Sequence, residues 1–197
     1  MLYVFISGNI GAGKSTLLDA FATQCKAVGD WTFVKEPVDE WVKMGLLSAM
    51  YDGTLNPGEF QLMALATRAA NLQAASKKTP FVMAERSPWE DSHVFAGTTL
   101  AGIHRVNYDY THAHLVAALD ARPTQIVHFV LEVRPEIALT RINSRARVGE
   151  QRVTLEYLQA LHKTYSTFTP PGTVHRIDAN GSAAATLAAV AHVCALL

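Results

Sequence analysis

The stretch that decides the fold is Gly8-Asn9-Ile10-Gly11-Ala12-Gly13-Lys14-Ser15, which fits the pattern G-x-x-x-x-G-K-[ST]. It lies between an apolar run at residues 2–7, which predicts a buried strand, and a helical pattern over residues 14–28. In such a turn, backbone N–H groups converge on phosphate oxygens, Lys14 reaches the β and γ phosphates, and the Ser15 hydroxyl can ligate magnesium. We therefore expect residues 8–15, together with Thr16, to bind ATP or GTP with Mg²⁺. A glycine-rich turn with a chance lysine is the alternative.

Outside this loop, short apolar runs alternate with longer stretches of helical periodicity. The apolar runs predict five strands, at residues 2–7, 32–35, 81–84, 125–133 and 173–177. Helices are predicted over residues 14–28 and 59–77, and by two periodic sets, Leu158, Leu161, Tyr165 and Phe168, then Leu187, Val190, Cys194 and Leu197. This alternation is typical of a parallel sheet with helices on both faces. We predict an α/β fold with a five-stranded parallel sheet, in one domain over residues 1–197.

Composition limits the classes of partner. The chain has 197 residues, and its 17 Lys and Arg balance its 17 Asp and Glu, so no overall field draws it to nucleic acid or to an anionic membrane. Two cysteines, Cys25 and Cys194, cannot build a disulfide framework, which favours a reducing compartment. The apolar segments are too short for a signal peptide core or a membrane span. We expect a soluble cytoplasmic protein that binds small molecules, without a nucleic acid or membrane partner.

Two charged motifs follow predicted strands. Glu36 opens the sequence Glu36-Pro37-Val38-Asp39-Glu40-Trp41 after the second strand, and Glu85-Arg86-Ser87 follows the third. The carboxyl ends of parallel strands converge on a ligand crevice, so Glu36 and Glu85 should point toward the same phosphates as Lys14. Phosphoryl transfer to a hydroxyl needs a group that accepts the hydroxyl proton. Glu36 is the candidate base, and a solvated loop carboxylate is the alternative interpretation.

A dense arginine cluster occurs later in the chain. Arg141 and Arg145 are four residues apart and share one helix face, and Arg147 follows where the helix should give way to a loop. Guanidinium groups suit the spread charge of a transferring phosphoryl group, and a mobile lid can bring them in when nucleotide is bound. We predict an arginine-rich lid at about residues 141–150. A solvated basic face is the alternative.

In order and spacing, these motifs and the later Leu155-Glu156-Tyr157-Leu158 resemble the deoxynucleoside kinase family. That family contains deoxycytidine, deoxyguanosine and mitochondrial thymidine kinases and the insect multisubstrate enzyme. The resemblance runs from Met1 to about Phe168. It implies a P-loop kinase fold, transfer of the ATP γ-phosphate to the 5′-hydroxyl of a deoxynucleoside in nucleotide salvage, Mg²⁺ as cofactor, and a helix-packed homodimer.

The resemblance also implies roles for residues around the reacting hydroxyl. The glutamate that matches Glu36 accepts the proton of the 5′-hydroxyl, and the arginine that matches Arg86 steadies the 5′-oxygen and that carboxylate. Glu85 helps hold magnesium. The pair that matches Tyr51 and Glu150 holds the sugar 3′-hydroxyl, and the lid arginines complete the catalytic set.

Base recognition is implied for a further group of residues. Gln61, Ala64 and Arg68 recur at i, i+3 and i+7, so they share one helix face that would line the base pocket. By resemblance, the Gln61 amide reads the base edge between aromatic walls that match Trp41 and Phe95.

Arg68 and Asp91 bear on the choice of base. Family members that act on deoxycytidine or purines carry this arginine and aspartate pair, and a guanidinium held by a carboxylate would fill the space of a thymine methyl. We expect deoxycytidine and purine deoxynucleosides to be favoured over thymidine. A surface ion pair without a ligand role is the alternative. Thymidine-preferring or broad specificity is the second interpretation within the family.

Two hypotheses from other classes stay open from the sequence. A nucleoside monophosphate kinase shares the loop and lid but binds a phosphate where Glu36 would lie, and a carboxylate facing a phosphate is unfavourable. A non-catalytic subunit with this fold is the other hypothesis. Such a subunit need not retain Lys14, Glu36 and Arg86 together.

Overall fold

The computed structural model describes residues 1–24, 30–119, 125–147 and 150–194. At its centre is a five-stranded sheet of order β2-β3-β1-β4-β5, in which every neighbouring pair is parallel. The strands are β1 (Leu2–Gly8), β2 (Trp31–Val34), β3 (Phe81–Glu85), β4 (Gln125–Glu132) and β5 (Thr173–Asp178). The predicted α/β class and all five predicted strands are therefore confirmed, with strand ends that differ by at most one residue.

The helices of the described residues are α1 (Lys14–Gln24), α2 (Val38–Lys43), α3 (Leu46–Asp52), α4 (Pro57–Ser76), α5 (Pro88–Glu90), α6 (Gly97–Thr99), α7 (Gly102–Leu119), α8 (Pro135–Arg145), α9 (Leu155–Ser166) and α10 (Ala183–Cys194). A π-helical turn, Asp91–Ala96, joins α5 to α6, and a 3₁₀ turn covers Glu150–Arg152. Within these described helices, not one has both the length and the apolar character required to cross a membrane.

The predicted helices are present, with changes at their ends. Helix α4 begins at Pro57, two residues before the predicted start, because the Asn56 side chain caps it by accepting from the Gly58 N–H at 2.8 Å. Phe168 was expected on the helix that is now α9, but α9 ends at Ser166 and Phe168 packs into the core beyond it. Residues 25–28 of the first predicted helix and Leu197 of the last periodic set lie outside the described residues.

Both faces of the sheet are covered, which explains why the strands read as continuous apolar runs. On one face, Val4 and Ile6 of β1 pack with Leu18 of α1. On the other face, Tyr3 and Phe5 of the same strand pack in a cluster with Leu72, which belongs to α4. Alternate residues of β1 are therefore buried on opposite faces, as a doubly covered parallel sheet requires.

The loop after β1 requires glycine where it passes close to its neighbours. At Gly8, with φ +144°, a Cβ atom would lie 2.7 Å from the Leu131 carbonyl oxygen. At Gly11, with φ +79°, it would lie 2.5 Å from the carbonyl oxygen of Ala138 in α8. Both the left-handed backbone and the close approach exclude a side chain. The loop is thereby held against β4 and α8, at the carboxyl edge of the sheet.

We predict that His128 in β4 makes stability fall at acidic pH. Its ring is fully buried, stacks on Phe5 with 5.1 Å between centroids, and packs edge-on against Trp89 and Phe168. Burial lowers the pKa of His128 to about 4, although the nearby Glu90 opposes this. The unfolded chain therefore takes up a proton first as the pH falls below about 6.5, and the folded state loses about 2 kcal/mol by about pH 5.

Denaturant unfolding of His128→Phe and of the unmodified protein at about pH 7.5 and about pH 5 measures this effect. Phenylalanine keeps an aromatic ring in the stack without the titrating nitrogens. The variant should gain stability relative to the unmodified protein as the pH is lowered, by about 2 kcal/mol. An equal stability difference at the two pH values would show that His128 does not contribute.

Candidate active site

A cleft opens at the carboxyl edge of the sheet, above the ends of β1, β2 and β3. The predicted site residues that line it include Lys14, Ser15, Glu36, Glu85 and Arg86. Glu85 is the last residue of β3, and Glu36 lies two residues after the end of β2. The order of the strands therefore brings these charged groups to the loop after β1, as parallel-sheet topology predicts.

The Lys14 side chain donates hydrogen bonds to backbone carbonyl groups of its own phosphate loop. The Lys14 Nζ donates to the carbonyl oxygens of Gly8 at 3.0 Å and Asn9 at 2.9 Å, and its side chain is buried. Burial, with a further contribution from the positive Arg86, lowers the pKa of Lys14 to about 8. Next to it, the Ser15 Oγ donates to both carboxylate oxygens of Glu85 at 3.0 Å. The loop thus presents a cation beside a hydroxyl and carboxylate pair.

Residues of the loop face two different spaces. Ile10, Gly11, Lys14 and Ser15 line the cleft, while Gly11, Ala12, Gly13 and Thr16 line a second cavity on the other side of the loop. Gly8 and Asn9, at the start of the loop, line neither space and bond to buried parts of the protein instead. The Gly8 N–H donates to the Glu90 carboxylate at 3.2 Å, and the Asn9 Nδ2 donates to the Leu158 carbonyl at 2.9 Å.

Five charges of alternating sign form a chain beside the cleft, in the order Asp91, Arg68, Glu36, Arg86 and Glu90, and all but the partly exposed Glu36 are buried. Arg68 donates through Nη1 to Asp91 and through Nη2 to Glu36. Arg86 donates through Nε to Glu36 at 3.1 Å and through Nη1 to Glu90 at 2.7 Å. Each carboxylate in the chain is thereby paired with at least one guanidinium. We call this set the charge chain.

The charge chain fixes the protonation of Glu36. Burial alone would raise the pKa of Glu36, but the guanidinium groups of Arg86 and Arg68 hold that pKa well below its usual range. Asp91 differs, since burial raises its pKa to about 6 despite the attraction of Arg68. Glu36 is therefore a carboxylate at every physiological pH, with two positive neighbours and one side toward the cleft.

Aromatic side chains form part of the walls of the cleft. Trp41, Phe95 and Gln61 line it, as the sequence predicts. The Arg68 guanidinium lies 5.1 Å from the Trp41 ring centroid, and the Arg86 guanidinium lies 4.5 Å from that of Phe95. These are cation–π distances, so the walls also support the charge chain.

Two residues of the predicted base pocket lie behind its surface. Ala64 shares the α4 face of Gln61 and Arg68, but it is buried in an apolar cluster with Trp41 and Phe60 and does not line the cleft. Asp91 is fully buried behind Arg68. The structure therefore brings Gln61 and Arg68 to the cleft, with Ala64 and Asp91 beneath them.

Residues of the predicted lid lie in two places, some at the cleft and one, Arg141, at the second cavity only. Arg145 donates to both oxygens of Glu150, at 2.7 and 2.6 Å, and Arg147 donates to Glu150 at 3.4 Å. All three residues line the cleft together with Tyr51, whose pKa burial raises far above its usual range. Arg141 turns away instead. Residues 148–149 of the predicted lid lie outside the described residues.

Arg141 lines the second cavity, where its Nη2 donates to the Gly181 carbonyl oxygen at 2.8 Å. This cavity has a volume of about 510 Å³, whereas the cleft has about 70 Å³. It is bounded by the loop, by α8, and by residues 181–187. Ligand pockets of roughly 300 to 1,000 Å³ hold drug-sized molecules. The second cavity has room for part of a nucleotide, and the cleft must widen to admit one.

Two residues of this site were missed in the sequence. Glu90 lies four residues after Arg86, a spacing that could have suggested the ion pair on a helix. Tyr165 was counted only as an apolar position of α9, yet its hydroxyl accepts from Arg86 at 3.1 Å and donates to Glu90. The sequence carries no signal for that contact, since the two residues are far apart in the chain.

A parallel sheet of this order, with a phosphate loop after β1 and carboxylates at the ends of β2 and β3, is the arrangement of the P-loop kinase fold. The model of the Deoxynucleoside kinase family matches residues 4–184. The chain therefore belongs to the deoxynucleoside kinase family and is a nucleoside kinase, so the predicted family is confirmed. The family implies ATP as the phosphate donor.

Relatives named for different nucleosides match most of the chain. It is 33% identical over 192 residues to the thymidine kinase of Ictalurid herpesvirus 1 (strain Auburn), a match that covers 90% of this chain and 78% of that protein. A probable deoxycytidine kinase of fowlpox virus (strain NVSL) is 28% identical over 180 residues, covering 87% and 73%. Human deoxycytidine kinase is 26% identical over 199 residues, covering 84% and 74%.

We predict that ATP affinity falls as the pH rises through about 8, because the ligand-free protein then loses the Lys14 proton that phosphate binding needs. Above that pKa, and as long as Lys14 stays protonated in the ATP complex, affinity should fall by up to about tenfold for each pH unit. Calorimetric titration with ATP and Mg²⁺ between about pH 7 and about pH 9.5 measures the slope. In Lys14→Arg the charge persists, so any remaining affinity should lack the step. A flat profile in the unmodified protein would contradict the role of Lys14.

Proposed function

We propose that the protein transfers the γ-phosphate of ATP to the 5′-hydroxyl of a deoxynucleoside in nucleotide salvage, and that it favours deoxycytidine and purine deoxynucleosides over thymidine. One observation carries the proposal. The Glu36 carboxylate is held ionised between Arg68 and Arg86, in the same cleft as Lys14 of the phosphate loop. The cleft therefore offers a proton acceptor beside a phosphate-binding group.

In this mechanism Glu36 accepts the proton of the 5′-hydroxyl. Its lowered pKa makes it a weak base in the free protein, which suits a transfer whose transition state is loose and needs positioning more than proton abstraction. Arg86 lies against Glu36 and would also steady the 5′-oxygen. The two groups would therefore orient the hydroxyl toward the γ-phosphate.

The phosphates would contact Lys14, Arg145 and Arg147, and two further residues would hold Mg²⁺ beside them. Ser15 and Glu85 would hold Mg²⁺, since a hydroxyl and a carboxylate in contact supply the oxygen donors that this ion takes alongside substrate phosphates. When bound, Mg²⁺ neutralises charge on the phosphates. Lys14 and the two lid arginines would stabilise the charge of the transferring group. For this, Arg145 and Arg147 must exchange Glu150 for phosphate oxygens.

The second cavity is the proposed place for the rest of ATP. It adjoins Gly11, Gly13 and Thr16 of the loop, so a triphosphate that follows the loop would enter it with its ribose and base. Arg141 borders the same space and is held there by the carbonyl oxygen of Gly181. Arg141 would thus contact the donor rather than the transferring phosphoryl group.

The acceptor nucleoside would occupy the cleft between its aromatic walls. Gln61 would hydrogen-bond the base edge, between Trp41 and Phe95. At the sugar end, Tyr51 and Glu150 line the same cleft and would hold the 3′-hydroxyl. Glu150 then links sugar binding to the lid, because its present partners are Arg145 and Arg147.

The preference for deoxycytidine and purines rests on the charge chain. Arg68 faces the cleft and is held by Asp91 and Glu36, so its guanidinium cannot move aside for a thymine methyl without leaving the buried Asp91 carboxylate unpaired. A thymidine-preferring enzyme is the second candidate. It is favoured by the 33% identity to a viral protein named thymidine kinase.

We also propose that the protein is a homodimer, as the family resemblance implies. On α7, Ile103, Val106 and Tyr110 are spaced i, i+3 and i+7 and are 66%, 61% and 68% exposed. A second copy of this chain would cover that apolar face, since the residues share one side of a long helix. A mass in solution of about twice 21.5 kDa would support the dimer, and a monomer at high protein concentration would reject it.

Product identification tests the proposed activity. The protein would be incubated with ATP, Mg²⁺ and each of the four deoxynucleosides or their monophosphates, and products would be separated by chromatography. We expect 5′-monophosphates, formed faster from deoxycytidine, deoxyadenosine or deoxyguanosine than from thymidine. Diphosphates formed from the monophosphates would identify a monophosphate kinase instead, and no product in any arm would indicate a non-catalytic protein.

Replacement of Glu36 by glutamine is expected to lower kcat by about 10² to 10⁴, because glutamine cannot accept the hydroxyl proton and lacks the charge that orients the hydroxyl together with Arg86. Binding of the deoxynucleoside should change much less, since glutamine keeps the size of the side chain and its amide oxygen still accepts from one of the two arginines. Steady-state kinetics and calorimetric binding measure the two effects. Asp39→Asn is the matched control, because Asp39 lies three residues further along the chain, at an exposed position of α2. Near-native turnover of Glu36→Gln would remove Glu36 from the mechanism.

Base choice is tested by the double variant Arg68→Met with Asp91→Ala. Removing both partners vacates the space that excludes the thymine methyl and leaves no charge stranded at Asp91. The ratio of kcat/KM for thymidine to that for deoxycytidine should rise, while loss of the Arg68 contact to Glu36 lowers both rates and cancels in the ratio. An unmodified protein that already prefers thymidine over the other deoxynucleosides would refute the assignment.

A further inference from the structure

Glu90 is a buried carboxylate with an unexpected set of partners. Its side chain is fully buried at the end of α5. One oxygen, Oε1, accepts from the Gly8 N–H at 3.2 Å, from Arg86 Nη1 at 2.7 Å and from the Tyr165 hydroxyl. These donors come from the phosphate loop, from the segment after β3, and from α9. Three separate parts of the fold therefore meet at one oxygen atom.

The local sequence offers Glu90 a more ordinary role, which the structure does not use. Ser87 and Glu90 have the S-x-x-E spacing of a capping box, and the Ser87 Oγ accepts from the Glu90 N–H at 3.1 Å. In a capping box the glutamate would reach back to the backbone of the serine. Here it turns toward Arg86 and Gly8 instead. Helix capping therefore does not account for the position of this carboxylate.

The position of Glu90 determines how Arg86 can lie. The Arg86 Nη1 is directed to Glu90 and to the Gly8 carbonyl oxygen at 3.1 Å, while its Nε is directed to Glu36. A planar guanidinium held at two points has its orientation fixed. Glu90 lies on the opposite side of Arg86 from Glu36, and its negative charge partly cancels the electrostatic attraction between Arg86 and Glu36.

We propose that Glu90, anchored by Tyr165, is a positioning residue that aims the Arg86 guanidinium at Glu36 and ties the first glycine of the phosphate loop to the same point. Glu90 does not face the cleft and touches no reacting atom; it acts through Arg86 and Gly8. This inference rests on the proposed function, in which Glu36 and Arg86 orient the acceptor hydroxyl.

The variant Glu90→Gln separates charge from packing. Glutamine has nearly the same shape and can still accept hydrogen bonds, so a role limited to packing would leave kcat unchanged. If Glu90 positions Arg86 by its charge, kcat should fall by about 10-fold to 100-fold, while KM for ATP and for the deoxynucleoside should change by less than about threefold. A kcat within about twofold of the unmodified value would overturn the proposal.

Two further variants complete the kinetic test. Glu59→Gln is the matched control, because Glu59 follows a capping asparagine and a proline in the first turn of α4, just as Glu90 follows Ser87 and Pro88, but it is exposed. It should leave kcat and KM unchanged. If Glu90→Gln does not fold, Tyr165→Phe removes the hydroxyl that contacts Glu90, Arg86 and the Gly8 carbonyl, and should lower kcat in the same direction by a smaller factor. An unchanged kcat in Tyr165→Phe would then overturn the proposal.

A measurement without turnover distinguishes failure of this inference from failure of the proposed function. Nuclear magnetic resonance of the arginine side chains reports rotation of the Arg86 guanidinium, whose signal is assigned from its loss in Arg86→Lys. Rotation should be slow in the unmodified protein and in Glu59→Gln, and faster in Glu90→Gln. Equal rotation of the Arg86 guanidinium in all three proteins would reject the positioning role of Glu90, even if the protein is an active kinase. If rotation changes as expected but the protein shows no turnover, the proposed function alone would be rejected.

Discussion

The ionised Glu36 carboxylate, buried between two guanidinium groups, is the constraint on which the rest of the site depends. An isolated buried carboxylate would take up a proton, and Arg86 and Arg68 prevent this by their charge. Each arginine then needs its own second partner, which Glu90 and Asp91 supply. The arrangement holds charge in a region with little water, where breaking one pair is costly because it strands the other member.

The charge chain joins three parts of the fold, so it also specifies how these parts meet. Glu36 follows β2, Arg68 lies on α4, and Arg86, Glu90 and Asp91 belong to the segment that follows β3. Arg86 has a backbone φ of 66°, a left-handed conformation that costs a non-glycine residue roughly 1 to 3 kcal/mol. Its backbone N–H donates to the Ile6 carbonyl at 3.0 Å, and its guanidinium bonds to Glu36 and Glu90. These contacts hold the conformation in place.

The sequence predicted those features that depend on local pattern and on sheet topology. The five strands follow from apolar runs that are buried on both faces, and the places of Glu36 and Glu85 follow from the convergence of parallel strand ends. Contacts between distant residues could not be obtained in this way. Glu90 and Tyr165 are 75 positions apart in the chain, and the turn of Arg141 toward Gly181 depends on how residues 180–187 fold back beside α8. Helix periodicity places a side chain on a face but does not say what packs there.

The central claim is that the charge chain presents Glu36 and Arg86 to the acceptor hydroxyl. A crystal structure of the protein with deoxycytidine and a non-hydrolysable ATP analogue tests it most directly. The account predicts the 5′-oxygen at hydrogen-bond distance, roughly 2.6 to 3.2 Å, from a Glu36 carboxylate oxygen, with Arg86 still paired to Glu36. A 5′-oxygen bound to another residue, with Glu36 enclosed by its arginines and out of reach, would contradict the account.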